Sequence, residues 1–144
     1  MINLEKDALF EVWLIHMDDA IQNLINSLPN ELGSRLDYSP ESLDSLEAWL
    51  LEKYSSVQDE LSEQSNPIID GASRYVGETL RKNLGGTWFI NNTDENLLYF
   101  GVPQLQNMRG QRIQISPLAM VTTSLDRRRG SYLRMILTNM ANRA

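Results

Sequence analysis

Asp70, Arg74, Glu78 and Arg81 recur at intervals of three and four, followed by an indole at Trp88. On one helix these intervals bring side chains to a common face. Carboxylates and guanidinium donors gathered beside an indole have the chemistry to bind a polar small molecule, and a carboxylate among them can act as an acid or base in a hydrolysis. The plainer reading, which we prefer, is a ladder of helix-surface ion pairs. Asp70/Arg74, Arg74/Glu78 and Glu78/Lys82 are each four apart, and such pairs are worth only about 0.2–0.5 kcal/mol each.

Other constellations are weaker. The chain has no cysteine and a single histidine, His16. That excludes disulfides, thiolate zinc sites, Fe–S centres and cysteine nucleophiles. His16 precedes Asp18 and Asp19 at spacings of two and three, which do not converge as the i, i+4 ligands of a helical metal site do. No metal or cofactor is expected. No pair of acids is singled out for glycoside-type chemistry. Gly85-Gly86 precedes a strand pattern, whereas a phosphate-cradling loop follows one. Arg127-Arg128-Arg129, with Arg134, has the charge to grip phosphates. The acidic remainder of the chain and the scarcity of nearby aromatics disfavour nucleic acid, and a solvated inter-helix turn is the simpler account.

The elements that must position these residues are punctuated by one grammar. Ser39-Pro40, Asn66-Pro67 and Ser116-Pro117 each set a capping side chain before a proline, which loses no intrahelical bond at the first helical position. A first helix is expected from about Asn3 to Ser27, with Phe10, Trp13, Leu14, Met17, Ile21, Leu24 and Leu28 on one face. A second, narrower apolar stripe of Leu4, Ala8, Val12 and Ile15 lies opposite. A helix apolar on two sides is either internal or covers a partner, a second copy of the chain included. A helix opens at Pro40 and either continues to about residue 64 or breaks near Ser55-Ser56, with Glu41, Asp44, Glu47, Glu52, Asp59, Glu60 and Glu63 outward. Another runs from Pro67 to about Asn83 and stops at Gly85-Gly86. Gly77 on its charged side implies the close approach of another backbone. Strands are expected at Trp88–Ile90, Leu97–Phe100 and Ile113–Ile115, then short helices after Pro117 and from about Gly130 to Met140.

The expected fold is therefore a single α+β domain over residues 1–144. Its N-terminal helices and a central helix pack on a three-stranded antiparallel meander that seals Trp88, and two short helices follow. Length agrees with one domain. No apolar run approaches the roughly 20 residues that span a bilayer, and the acidic start lacks the basic, apolar character of a signal peptide. A cytosolic setting without membrane association is expected.

Charge is unevenly distributed. Residues 1–102 carry 18 of the 19 acids, while residues 103–144 carry seven arginines against Asp126 alone. Either the two halves pack and neutralise each other, or they present separate charged surfaces to partners.

The run Asp70-Gly71-Ala72-Ser73-Arg74-Tyr75-Val76-Gly77-Glu78-Thr79-Leu80-Arg81-Lys82-Asn83-Leu84-Gly85-Gly86-Thr87-Trp88, with Ile115-Ser116-Pro117-Leu118-Ala119, resembles small bacterial proteins of unassigned function with a helix–Gly-Gly–Trp–sheet layout. Some of these look like immunity proteins encoded beside secreted toxins. The resemblance spans about half the chain and implies a fold and a protein partner, with no catalytic residues to carry over.

Together these features point to a non-enzymatic protein-interaction domain, of the immunity type if the resemblance holds, whose acidic helices cover a basic partner. The alternative from another class is a small-molecule-binding protein or hydrolase with its site around Arg74, Glu78, Arg81 and Trp88. A homodimer through Leu4, Ala8, Val12 and Ile15 is the third.

Overall fold

The computed structural model describes residues 4–55, 66–97 and 99–144. Their helices are α1 (Leu4–Ile15), α2 (Met17–Ser27), α3 (Asn30–Gly33), α4 (Pro40–Lys53), α5 (Pro67–Leu84), α6 (Pro117–Arg127) and α7 (Tyr132–Arg143). Two strands, β1 (Thr87–Phe89) and β2 (Gln104–Gln106), lie between α5 and α6.

All three proline junctions are capped. Ser39 Oγ accepts from the Ser42 amide, Asn66 Oδ1 from those of Ile68 and Ile69, and Ser116 Oγ from that of Ala119, at 3.0–3.2 Å. Each bond satisfies a donor that the first helical turn leaves without a partner.

Helix α5 is the centre of the molecule. Eleven of its 18 residues are buried, on nearly every side. It packs against α2 on one flank and α6 on another, while α4 pairs with α7. Gly71 permits the α2 crossing, since a Cβ there would stand 3.0 Å from Leu24 Cβ and 3.2 Å from the Ala20 carbonyl. The core joins Leu24, Leu43, Leu46, Leu50, Tyr75, Leu80, Leu125, Leu133 and Leu137 into one cluster.

The expected three-stranded meander is not formed. The described sheet is a two-stranded antiparallel pair, Trp88 facing Leu105, and Ile115 adds a single bridge to Leu105. Of the expected second strand, Leu98 lies outside the described residues. Its neighbours fold as consecutive turns, with Phe100 N–H on Leu97 O and Val102 N–H on Tyr99 O. Tyr99 (φ 65°) and Gly101 (φ 74°) are left-handed, a conformation no strand accommodates. The strand forms instead after Pro103, on Gln104–Gln106, where two glutamines obscure any apolar alternation. Ile113 is exposed rather than paired in a strand. The molecule is mostly helical, with helices packed chiefly on one another.

The single first helix is also corrected. It breaks at His16, whose φ and ψ (−89°, 12°) leave the helical region. Helix α4 ends at Lys53, with Tyr54 extended (φ −117°, ψ 120°). Any continuation, with Asp59, Glu60 and Glu63, falls in residues 56–65, outside the described residues.

The charged halves do meet. Arg134 on α7 reaches Asp44 (3.0 Å) and Glu41 (3.4 Å) at the start of α4. Arg128 donates to the Leu51 and Tyr54 carbonyls at the end of α4 (2.8 and 3.0 Å). Between them Glu47, expected on an outer face, is fully buried. Its carboxylate accepts from the Leu133 and Tyr132 amides (2.8 and 3.1 Å) and so caps α7, whose own Ser131 makes no side-chain cap. Opening backbone amides and a carboxylate attract because the helix N-terminus carries partial positive charge.

Candidate functional site

Four elements meet around the sequence-predicted polar residues. Asp70 and Arg74 project from one side of α5 toward α1. Asp70 Oδ1 accepts from the Trp13 indole (3.1 Å) and Oδ2 from Arg74 Nε (2.8 Å). Arg74 Nη1 continues to the Trp13 carbonyl in the last turn of α1 (2.6 Å), and its guanidinium stacks 4.1 Å from the Trp13 ring centroid. Arg74 is 5 % exposed, so its charge is held by a carboxylate, a helix C-terminal carbonyl and an aromatic face together. One turn on, Glu78 accepts from the Trp88 indole (3.0 Å) and from Arg81 Nη1 (2.8 Å), and Arg81 Nε reaches the Gly86 carbonyl (3.2 Å).

With Trp13 added, the five sequence-predicted residues form two hydrogen-bonded groups, Asp70–Arg74–Trp13 and Glu78–Arg81–Trp88. Trp13 and Trp88 join them through an edge contact of 5.0 Å between centroids. Glu78 pairs with Arg81, three residues on, whose Nη1 reaches both carboxylate oxygens (2.8 and 3.2 Å), and Oε2 also takes the Trp88 indole of β1. The close approach expected at Gly77 comes from a side chain: the Trp88 ring lies where a Cβ would sit, with Pro117 Cγ 3.1 Å away. Trp88 is accordingly buried against α5.

Polar groups that spend their capacity on one another have little left for a substrate. Two described grooves lie elsewhere, and none of the five residues lines either. One, of about 310 Å³, runs between α1 and the 90–103 loop, walled by Phe10, Trp13, Ile90 and Pro103. The other, of about 260 Å³, lies under the end of α7 beside Ile113 and Ile115. Sequence reasoning did not find the first groove, because its far wall is the loop misread as a strand. Phe10 and Trp13 on one α1 face were the available signal.

Of the expected interface residues, Ala8, Val12 and Ile15 lie exposed on α1; the Leu4 side chain lies outside the described residues. Leu9, on the same outer side, joins them. Leu9, Val12 and Ile15 are 62, 49 and 76 % exposed, while Phe10, Trp13 and Leu14 pack on the core. Glu5, Glu11, Asp18 and Asp19 are exposed around this stripe.

His16 is exposed, with Nδ1 3.9 Å from an Asp19 oxygen. Among the described residues no three His, Asp or Glu side chains gather in a way that would hold a metal ion, and no helix is long and apolar enough to cross a membrane. Burial pushes the Tyr75 hydroxyl above its ordinary pKa, and the hydroxyl is hydrogen-bonded to Ser42 Oγ 2.6 Å away. That pair sits in the core and adjoins no described groove. No protein-family model, curated protein or solved structure matches this chain.

Proposed function

We propose that the chain is a non-enzymatic protein-interaction domain of the cytosol that docks through the outer face of α1. The observation that carries this reading is the exposure of Leu9, Val12 and Ile15 in helical register on a helix whose other side packs, half-buried, against the core. Burying such side chains against a partner is worth about 1.5–3 kcal/mol each, and contiguous exposed apolar surface marks interaction sites. The internal pairing of Asp70, Arg74, Glu78 and Arg81 supports the same reading, since it leaves those groups as structure.

The partner is basic around its apolar contact, because Glu5, Glu11, Asp18 and Asp19 rim the stripe. Opposite charge on the partner would raise the association rate. An immunity-type inhibitor covering a basic toxin site is this reading made specific. A second copy docked through the same face would set acid against acid.

A photo-crosslinking residue at position 12 in the native host tests it, with the same probe at the exposed Gln22 as control. The expected product is an adduct to one other protein from position 12 alone, its contact peptide rich in Lys or Arg, and weakened by Ile15→Glu. An adduct to a second copy of this chain, or none specific to position 12, would overturn the reading.

A further inference from the structure

Nothing in the chain near His16 compels the break between α1 and α2. Residues 10–20 hold neither proline nor glycine, the usual local causes of a sharp bend. His16 makes no side-chain cap, unlike Ser39, Asn66 and Ser116. Asp18 and Asp19 favour a helix start there without forcing one. The apolar positions Phe10, Trp13, Leu14, Met17, Ile21 and Leu24 keep helical phase through the junction. Helical bonding also reaches His16 from both sides. Its N–H donates to Val12 O (3.2 Å), and its carbonyl accepts from the Ala20 N–H (3.0 Å).

In a straight helix the Trp13 carbonyl would accept from the Met17 amide. Here it accepts from Arg74 Nη1 at 2.6 Å, and a side chain inserted into the i→i−4 ladder bends a helix. Arg74 is fixed in that position. Its Nε donates to Asp70 (2.8 Å), its guanidinium faces the Trp13 ring, and the side chain is buried. We propose that Arg74 bends the first helix, acting as a positioning residue that holds the end of α1 on α5 and turns Leu9, Val12 and Ile15 outward. Without it α1 and α2 run as one helix, the Trp13 indole leaves Asp70, and Phe10, Trp13 and Leu14 lose their seat on the core. The consequence for docking rests on the reading of α1 as the partner face; the bend itself does not.

NMR of the isotope-labelled full chain tests the proposal. Residual dipolar couplings give the angle between the α1 and α2 axes, and the His16 Cα shift reports its local geometry. Arg74→Gln sets an amide nitrogen where Nε stood, so it keeps a bond to Asp70 and falls short of the Trp13 carbonyl. Arg74→Met fills the space with no donor at all. In both, the two axes should become collinear and the His16 Cα shift should move to its helical value. The Leu133 amide, bound to Glu47 at the start of α7, should keep its shift as the sign of an intact fold. His16→Ala, and Asp18→Asn with Asp19→Asn, remove the local signals at exposed positions and should leave the bend as in the native chain. These exposed-site variants keep the fold and test the cause of the bend even where an Arg74 variant unfolds. A bend that survives in a folded Arg74 variant, or that disappears when only the exposed residues change, overturns the proposal. The crosslinker at position 12 reports docking separately. A bent native chain that gives no adduct sinks the docking reading alone. Loss of the adduct is expected in straightened Arg74→Gln, and an undiminished adduct there refutes the claim that the bend aims the stripe.

Discussion

Replacing Gly77 with alanine sets two effects of opposite sign against each other. Inside a helix, alanine is favoured over glycine by about 1 kcal/mol. In this fold the new methyl would overlap Cη2 and Cζ2 of Trp88, closer than real Cβ atoms approach other atoms, and would press on Pro117. The indole has little room to withdraw. Its other side meets Trp13, and its Nε1 is held by Glu78 at 3.0 Å. Overpacking of this kind costs about 1–3 kcal/mol. If the ring tilts enough to break the Glu78 bond, a buried donor adds a further ~1–3 kcal/mol. Gly77→Ala should therefore destabilise by up to about 2 kcal/mol net of propensity if the Glu78 bond survives, and by about 1–5 kcal/mol if it breaks. Urea unfolding of Gly77→Ala, Trp88→Ala and the double variant measures it. With the ring removed, the same Gly77→Ala change should become neutral or stabilising. A stabilising Gly77→Ala in the native background, or an equal cost in both backgrounds, would refute the packing argument.

Two further outcomes follow from the interior. Glu47→Ala removes the acceptor for two amides at the start of α7 and should cost about 3 kcal/mol, with faster hydrogen exchange at Leu133. Glu47→Gln keeps an acceptor and should lose less than half of that; an unchanged Leu133 exchange rate in Glu47→Ala would sink the assignment. Alkaline pH tests Tyr75. Its folded pKa is raised by burial above the ordinary 10.0, so the unfolded chain releases that proton first. The associated stability is complete below about pH 10 and declines as pH rises through the folded value. Denaturation midpoints should fall more shallowly with alkaline pH in Tyr75→Phe than in the native chain, and parallel curves would contradict the claim.

Much of the framework was legible in the residues. The caps at Ser39, Asn66 and Ser116 are local devices. A side-chain oxygen, a proline and the next three amides lie within one turn, so no distant contact is needed to form them. The apolar period of α5 accounts for the burial of Ala72, Tyr75, Val76 and Leu80, whereas Ser73, Arg74 and Gly77 on its charged side are buried by distant elements. The sheet was not legible. Leu97–Phe100 has strand-like composition, yet Tyr99 and Gly101 adopt left-handed angles that become visible only once the loop closes against α1. Gln104–Gln106 became the strand with no alternation to announce it. The candidate site divided likewise. Asp70/Arg74 at i, i+4 was readable, while the contribution of Trp13 from 57 residues away was not. Glu47 was misplaced because its helical position was judged without α7, which covers it.

The sequence alone determined where the three proline-capped helices start, at Pro40, Pro67 and Pro117, and that neither thiolate chemistry nor a His-rich metal site is available. These depend on residue identity and spacing within a few turns. Tertiary structure alone decided that the Asp70–Arg81 ladder is consumed in two internal groups, that Gly77 makes space for an indole ring, and that α1 keeps one apolar side open. Each of these depends on which distant surface arrives at a residue, and helical periodicity carries no record of that.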